Sequence, residues 1–544
     1  MKRSTVWLAA GVFLIVFLVF ANCLTFDFVW DDEHVVLRNI YLTSVRYLPQ
    51  LLTQNIDAGA GVHSQLYRPV PLLTHFLDVH LWGYHPWGHH LTNLLIHASA
   101  TTACFLWLTR VAPLPAAFCG AVLWGIHPVQ VEGVAYIGGR SDSLAVLFLC
   151  SGLLLADRRF WPAAICAILA IGSKESMVLF PAFLWLADAA RGRREPWRRY
   201  LPFWIIAGAY ILLRGTVLKF GNMLNFYEAD NILVHHPGYR VFTYLTTLTG
   251  GLRLWIWPWD LHHERGWPIS TSLLQPPVAW SAVALVGWLA LMRWGWRRHR
   301  PIAAALTWYL LATLPSSNLL VLINAVFYDH WVVIPGVGLA WLVSQLPVFR
   351  NRFTTWTIAA AAALALVCAW ITRQYTPAWK NALALNTYLL KFEPNNAKLL
   401  NNLAMALAGT GQLEESARLY RQAIQASDTY PHTHHNLARI YEAQGNLDAA
   451  AQEFRRAIAL NPTFHHSYIA LGQLEAGRGH AADAEGLFRQ AIQAYPYATD
   501  AYLGLARLKA ARGDRDGAIA ELRRGLRAVN DLRLRQALNA LQAD

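Results

Sequence analysis

Three carboxylates, Asp31, Asp32 and Glu33, stand in a row in "FDFVWDDEHVVLRN" (26–39), directly after an uncharged stretch from Ser4 to Phe26. Further acids and bases recur in short polar segments between apolar runs. "LYRPV" (66–70) carries Tyr67 and Arg68, and "HPVQVEGVAYIGGRSD" (127–142) carries His127, Glu132, Arg140 and Asp142. "GSKES" (172–176) carries Lys174 and Glu175, and "NAVFYDHWVVIPGVG" (324–338) adds Asp329 and His330. A carboxylate can take the proton from an acceptor hydroxyl. Arginine and lysine can hold a phosphate and stabilise it as it leaves. A second acid can orient the acceptor or raise the pKa of the base. Together these residue types suit group transfer from a phosphate-linked donor. Adjacent carboxylates titrate as a pair, so spacing alone leaves open which of Asp31 and Asp32 is the base. The competing reading of "WDDE" is a helix cap or a set of solvated loop acids. The sequence has no GxxxxGK[ST], HExxH or GxSxG, so nucleotide hydrolysis, zincin and hydrolase-elbow chemistry have no support.

The elements that position these residues are apolar. Of 544 residues 55% are hydrophobic and mean hydropathy is +0.27, with the apolarity concentrated in 1–372. This predicts an all-α polytopic membrane domain followed by a polar, Ala-rich soluble one. The net charge of +13 lies largely in Arg clusters between hydrophobic runs, a pattern of membrane topology and not of nucleic-acid binding. Six cysteines, Cys23, Cys104, Cys119, Cys150, Cys166 and Cys368, lie in or beside apolar runs, and no disulfide or zinc framework follows. No metal and no cofactor are expected. The first hydrophobic run is too long for a signal-peptide core and is kept as an anchor. The only Asn-x-Ser/Thr triplet has Pro in the middle, which leans toward a bacterial protein.

Expected spans are 4–25, 90–109, 113–131, 142–156, 160–174, 175–190, 201–218, 275–292, 302–323, 329–349 and 353–372. With Lys2 and Arg3 inside, Arg110, "DRR" (157–159), "RGRREPWRR" (191–199), "RWGWRRHR" (293–300) and "FRNR" (349–352) also fall inside. Eleven spans then place 373 onward outside, which in a bacterium is the periplasmic side of the inner membrane. Segment 241–259, with Gly250, Gly251 and Arg253, is read as an interfacial or re-entrant helix on the outer face. Several spans are short, so Arg140, Asp142, Lys174, Glu175 and Arg214 are expected below the outer surface, facing a polar cavity rather than lipid.

The tail is periodic. Leu403, Leu437, Leu471 and Leu505 recur every 34 residues, as do Gly411, Gly445, Gly479 and Gly513. Tyr420, Phe454, Phe488 and Leu522 keep the same step, as do Ala423, Ala457, Ala491 and Gly525. This is the tetratricopeptide pattern, predicting an α-solenoid over 397–532, a half-repeat over 379–396 (within a connector, 373–396) and a short tail, 533–544. Such arrays commonly hold a peptide or protein in their concave face. His432, His434, His435, His465 and His466 are read as surface or groove residues.

The order of an acid pair after the first span, "YRP", "HPVQVEGVAYIGGRSD" and "GSKES", with repeats behind, resembles the transmembrane and tetratricopeptide-repeat O-mannosyltransferases, of the GT-C class of membrane glycosyltransferases. The resemblance covers essentially the whole chain. It implies a polyprenyl-phosphate-linked sugar donor, an exoplasmic site, and inverting, metal-independent transfer to a hydroxyl. It makes Asp31 the general base and Asp32 its partner, both in the catalytic pair. It assigns Arg68, Arg140 and Lys174 to the donor phosphate. Tyr67, His127, Glu132, Asp142, Glu175, Arg214, Asp329 and His330 would line the site. The chain departs from many relatives at "WPWDLHHERGW" (257–267) and "YDHWVVIP" (328–335), segments that could set donor or acceptor choice. The expected partners are the sugar donor, the bilayer and an acceptor polypeptide held by the repeats. A lipid or surface polysaccharide is the alternative acceptor, and a non-catalytic anchored scaffold the alternative class.

Overall fold

The computed structural model describes residues 3–62, 64–218, 232–323, 325–350 and 355–543. Those residues form helices and connecting turns, with no strand among them. The chain divides into two compact units, 1–385 and 386–544.

In the first unit every expected span contains a helix. A bilayer core of ~30 Å needs about 20 apolar residues at 1.5 Å each. Among the described residues five helices satisfy length and apolarity: Arg3–Thr25, Pro86–Leu108, Ile137–Leu155, Pro276–Arg298 and Thr355–Trp379. A sixth exists if Leu114–Gly125 and Pro128–Ala135, bent by 51° at His127, form one span. The apolar helices Phe160–Ser173 and Leu201–Thr216 are shorter. By length alone the count is therefore smaller than the eleven expected. The short helices stop where polar residues interrupt them, as at Lys174, whose backbone is extended (φ −152°, ψ 132°). Segment 241–259 lies mostly in a continuous helix, Pro237–Ile256.

Two of the loops expected on one face meet each other. "DRR" and "RGRREPWRR" are joined by ion pairs, Arg191 to Asp157 at 2.5 Å, Arg199 to Asp157 at 2.9 Å and Arg199 to buried Asp188 at 2.8 Å. The segments expected on the opposite face are tied to each other instead. Residues 26–89, read as a loop, contain the helices Leu48–Thr53 and Pro69–Trp82. Proline opens the second, where its missing N–H costs nothing. Val35, Val36, Leu42, Leu51, Ile56 and Leu72 form a small apolar core with Ile137 of the second polar segment. Buried Asn39 stitches it, donating to the carbonyls of Val35 (3.2 Å) and Ile56 (3.0 Å).

The second unit stacks the helix pairs Ala397–Gly409/Leu413–Ala426, Pro431–Ala443/Leu447–Leu460, His465–Gly477/Ala481–Ala494 and Thr499–Ala511/Arg515–Ala528, closed by Leu532–Ala543. Gly411, Gly445, Gly479 and Gly513 turn each pair with φ between 77° and 85°, a conformation that penalises a Cβ. Phe488 fills the gap between repeats because Gly472 and Gly504 leave room. A Cβ on Gly504 would lie 2.5 Å from its ring. Overpacking of this kind costs about 1–3 kcal/mol. Gly504→Ala is expected to destabilise the last two repeats by about that amount, read as faster amide exchange over 499–528. In a Phe488→Leu background the loss should shrink, because the contact that causes it is gone.

Candidate active site

The acid row sits on a strained turn. Trp30 has φ 57°, a left-handed conformation rare for a bulky side chain. Beyond it Asp31 and Asp32 part. Asp31 is exposed. Asp32 is fully buried and uses both oxygens: Oδ2 accepts the Val29 N–H at 2.9 Å and Oδ1 the Gly138 N–H at 2.8 Å. Burial pushes the Asp32 carboxyl up to about 7, against the two amides that favour its ionised form. Glu33 is exposed and pairs loosely with Arg38 at 3.4 Å. The "GGR" turn that meets Asp32 is sterically required. A Cβ at Gly138 would lie 2.6 Å from the Tyr136 hydroxyl, and one at Gly139 2.6 Å from the Glu132 carbonyl oxygen.

Arg140, the next residue, is fully buried. It pairs with Asp78 at 2.7 Å and donates to Thr74 Oγ1 (3.0 Å) and the His89 carbonyl (3.4 Å). Asp78 also accepts from Thr92 at 2.6 Å. Here the expected phosphate ligand is committed to a carboxylate. Sequence reading passed over Asp78. Its only signal was a lone acid within the apolar helix "PVPLLTHFLDVHLW".

The remaining cations gather in another group. Arg68 meets Glu175 at 3.1 Å, Lys174 meets Asp142 at 2.5 Å, and Arg214 donates to the Gln65 carbonyl at 2.6 Å. Tyr67 stacks on Tyr210 (centroids 6.1 Å apart) and donates to the Leu52 carbonyl at 2.8 Å. Burial pulls Arg68 down, but Glu175 and then Asp142 carry it above its ordinary value, so it stays charged. Arg68, Lys174 and Arg214 thus share this group with Glu175 and Asp142. Asp57 links this group to the acid turn. Burial pushes its carboxyl up, and it feels both Asp31 and Arg68.

A third group lies within electrostatic reach of Asp31. Glu132 Oε1 is 2.7 Å from His263 Nδ1 and 2.5 Å from His330 Nδ1. His263 stacks on Tyr328 and meets Trp30 edge-on, with centroids 5.1 and 5.0 Å away. Burial pulls the His263 imidazole down, but Glu132 foremost, then Glu264 and Asp31, carry it above its ordinary value. Asp329 is committed to the 257–267 segment, gripping Arg265 through both oxygens (2.8 and 3.0 Å) and accepting the His262 N–H at 2.9 Å. His127 stacks on Trp255 (4.1 Å), bonds the Trp255 carbonyl (3.1 Å) and accepts the Val129 N–H (3.3 Å). These are bracing contacts. His263 and Arg265 lie in "WPWDLHHERGW", a segment visible in the sequence, although neither residue stood out within it.

The fold and site define an all-helical membrane protein with a clustered acid–cation site and a repeat solenoid. Tetratricopeptide-repeat family models match residues 395–463 and 475–543. The chain is 23% identical over 429 residues to protein O-mannosyl-transferase F38B6.6 of Caenorhabditis elegans, covering 76% of this chain and 61% of the relative. It is 24% identical over 478 residues to human protein O-mannosyl-transferase TMTC3 (76% and 50%) and 26% identical over 297 residues to Drosophila melanogaster Tmtc1 (47% and 34%). The chain is thus similar to proteins named protein O-mannosyl-transferases, in line with the resemblance of its motifs. It spans between about a third and three-fifths of the length of these relatives. Among solved structures it resembles YrrB, a tetratricopeptide protein, at 18% identity over 35% of this chain and 94% of that one, with TM-score 0.26.

Asp32→Asn keeps the shape but has a single acceptor oxygen, so one buried N–H loses its partner, at a cost of about 1–3 kcal/mol. The loss also depends on pH. The folded pKa of Asp32 lies above its ordinary 3.8, so its stabilising contribution is full below that value and fades as pH rises through about 7. In thermal unfolding of the lipid-reconstituted protein, the wild-type advantage over Asp32→Asn should be largest near pH 4 and shrink toward neutrality. A pH-independent difference would contradict the assignment.

Proposed function

We propose that this protein is a GT-C-type membrane glycosyltransferase that moves a mannose-like sugar from a polyprenyl-phosphate donor to a protein Ser/Thr hydroxyl, on the exoplasmic face. The observation that carries the reading is the division of labour in the acid pair. One carboxylate is exposed at the turn, and its neighbour is buried and anchored by two amides, with the Arg68–Glu175 and Lys174–Asp142 pairs in the same unit. Asp31 takes the proton of the acceptor hydroxyl. The hydroxyl oxygen forms a bond to the anomeric carbon from the face opposite the phosphate. The bond from that carbon to the phosphate oxygen breaks, with inversion, and polyprenyl phosphate leaves. Arg68 and Lys174, with Arg214 behind them, hold that phosphate. Their carboxylate partners, Glu175 and Asp142, keep them in place until the donor arrives. Arg140, paired with Asp78 below the Gly138–Gly139 turn, orients the turn that holds Asp32.

The repeats present the acceptor polypeptide. A groove of about 890 Å³, lined by Gln473, Asp500, Arg507, Arg533 and Leu541 among others, supports that role within the second unit. The names of the relatives support mannose and a protein acceptor. A bacterial inner-membrane location with the N-terminus cytoplasmic follows the arginine distribution.

Reconstituted protein given radiolabelled polyprenyl-phosphate sugars and membrane extract should label protein. Asp31→Asn should lower turnover by 10²-fold or more, the range of a lost general base, with an unchanged melting temperature. Arg68→Ala and Lys174→Ala should weaken donor use. Label in lipid would move the acceptor to a glycolipid. Full activity in Asp31→Asn would remove the base assignment.

A further inference from the structure

Two groups of potential metal ligands occur among the described residues: His75, Asp78 and His89, and Glu132, His263 and His330. The first is already filled, because the Arg140 guanidinium lies 2.7 Å from Asp78 and supplies the positive charge. In the second, Glu132 meets no arginine or lysine among the described residues. We propose that Glu132, His263 and His330 bind a divalent first-row transition ion of the zinc type.

The ligand atoms, two imidazole nitrogens and a carboxylate oxygen, all lie within 4.8 Å of one another. Two His and one carboxylate form the donor set of open zinc and related sites, which keep a further position for water or substrate. The hydrogen-bond pattern is otherwise wasteful. Both Nδ1 atoms crowd Oε1, and the His330 contact at 2.5 Å lacks hydrogen-bond geometry. The buried Oε2 of Glu132 has no partner among the described residues. A triad built only of hydrogen bonds would spread its two donors over both oxygens. An ion between the three groups removes the crowding and uses the idle lone pairs. The imidazole planes lie within 16° of parallel, and Tyr328, Trp30 and Trp379 pack around His263, fixing its direction. The ligands come from three segments far apart in sequence, so the ion would tie together the polypeptide around Asp31. No step of the proposed transfer passes through it.

The test uses full-length protein purified without a histidine tag and held in lipid nanodiscs. Metal content is measured by mass spectrometry, and the chelator-stripped protein is titrated with zinc(II) against a competing chelator. One equivalent of tightly bound zinc and a raised melting temperature are expected. Glu132→Gln, His263→Gln and His330→Gln should each weaken binding at least tenfold, roughly the lower bound seen even for second-shell losses. The double variant His465→Gln/His466→Gln should bind as wild type. Wild-type protein that retains no metal and shows no zinc-dependent melting shift overturns the proposal without any variant being made. So does binding that survives the triad substitutions, or that disappears with the repeat histidines. Because the readout is metal and not sugar, its failure leaves the transferase reading standing, and the reverse also holds.

Discussion

The carboxylate of Asp32 sits where two stretches of chain over a hundred residues apart must meet. With both oxygens held by amides, it fixes the turn after the first span to the turn before Arg140. That junction decides which acid faces out. Beside it, Cβ atoms at Gly138 and Gly139 would meet Tyr136 and the Glu132 carbonyl, and Trp30, between Val29 and Asp31, is left-handed. Strain of this kind persists only where the surroundings hold it. Here the holding contacts are a buried acid and a small apolar core shared by both segments.

Around that junction the charges are arranged in pairs. Buried ion pairs contribute little net stability, but breaking one leaves an uncompensated charge, which costs several kcal/mol. Arg140–Asp78, Lys174–Asp142, Arg68–Glu175 and Arg265–Asp329 therefore act as locks on geometry more than as sources of folding energy. Two of them, at Arg68 and Lys174, retain some exposure. The other two are more deeply buried and each joins two segments distant in sequence. The same residue types thus divide into working and bracing groups according to burial and partner.

Periodic features could be read from the sequence alone. The 34-residue step placed the repeats and their turn glycines because each repeat must present the same face to its neighbour. Two arginine-rich loops expected on one face, 157–159 and 191–199, do meet, through the ion pairs of Asp157 and Asp188. Short spans that left charges inside pointed to Asp142, Lys174, Glu175 and Arg214; Arg140, expected with them, pairs with Asp78 instead, and Arg68 joins them through Glu175. The split between Asp31 and Asp32 could not be seen, since it turns on one backbone dihedral at Trp30. Nor could Asp78, His263 and Arg265, whose partners lie 62, 131 and 64 positions away and are chosen by packing. His127 and Asp329 carried the right chemistry for a site, but local stacking and capping claim them.

The central claim is that Asp32 clamps the turn so that Asp31 is presented. Amide hydrogen exchange at Val29 and Gly138 in the lipid-reconstituted protein tests it most directly. Both amides should be protected in wild type and in Asp31→Asn, and at least one should exchange markedly faster in Asp32→Asn, with the helices beyond unchanged. Equal protection in Asp32→Asn, or a loss of protection in Asp31→Asn instead, would contradict the account.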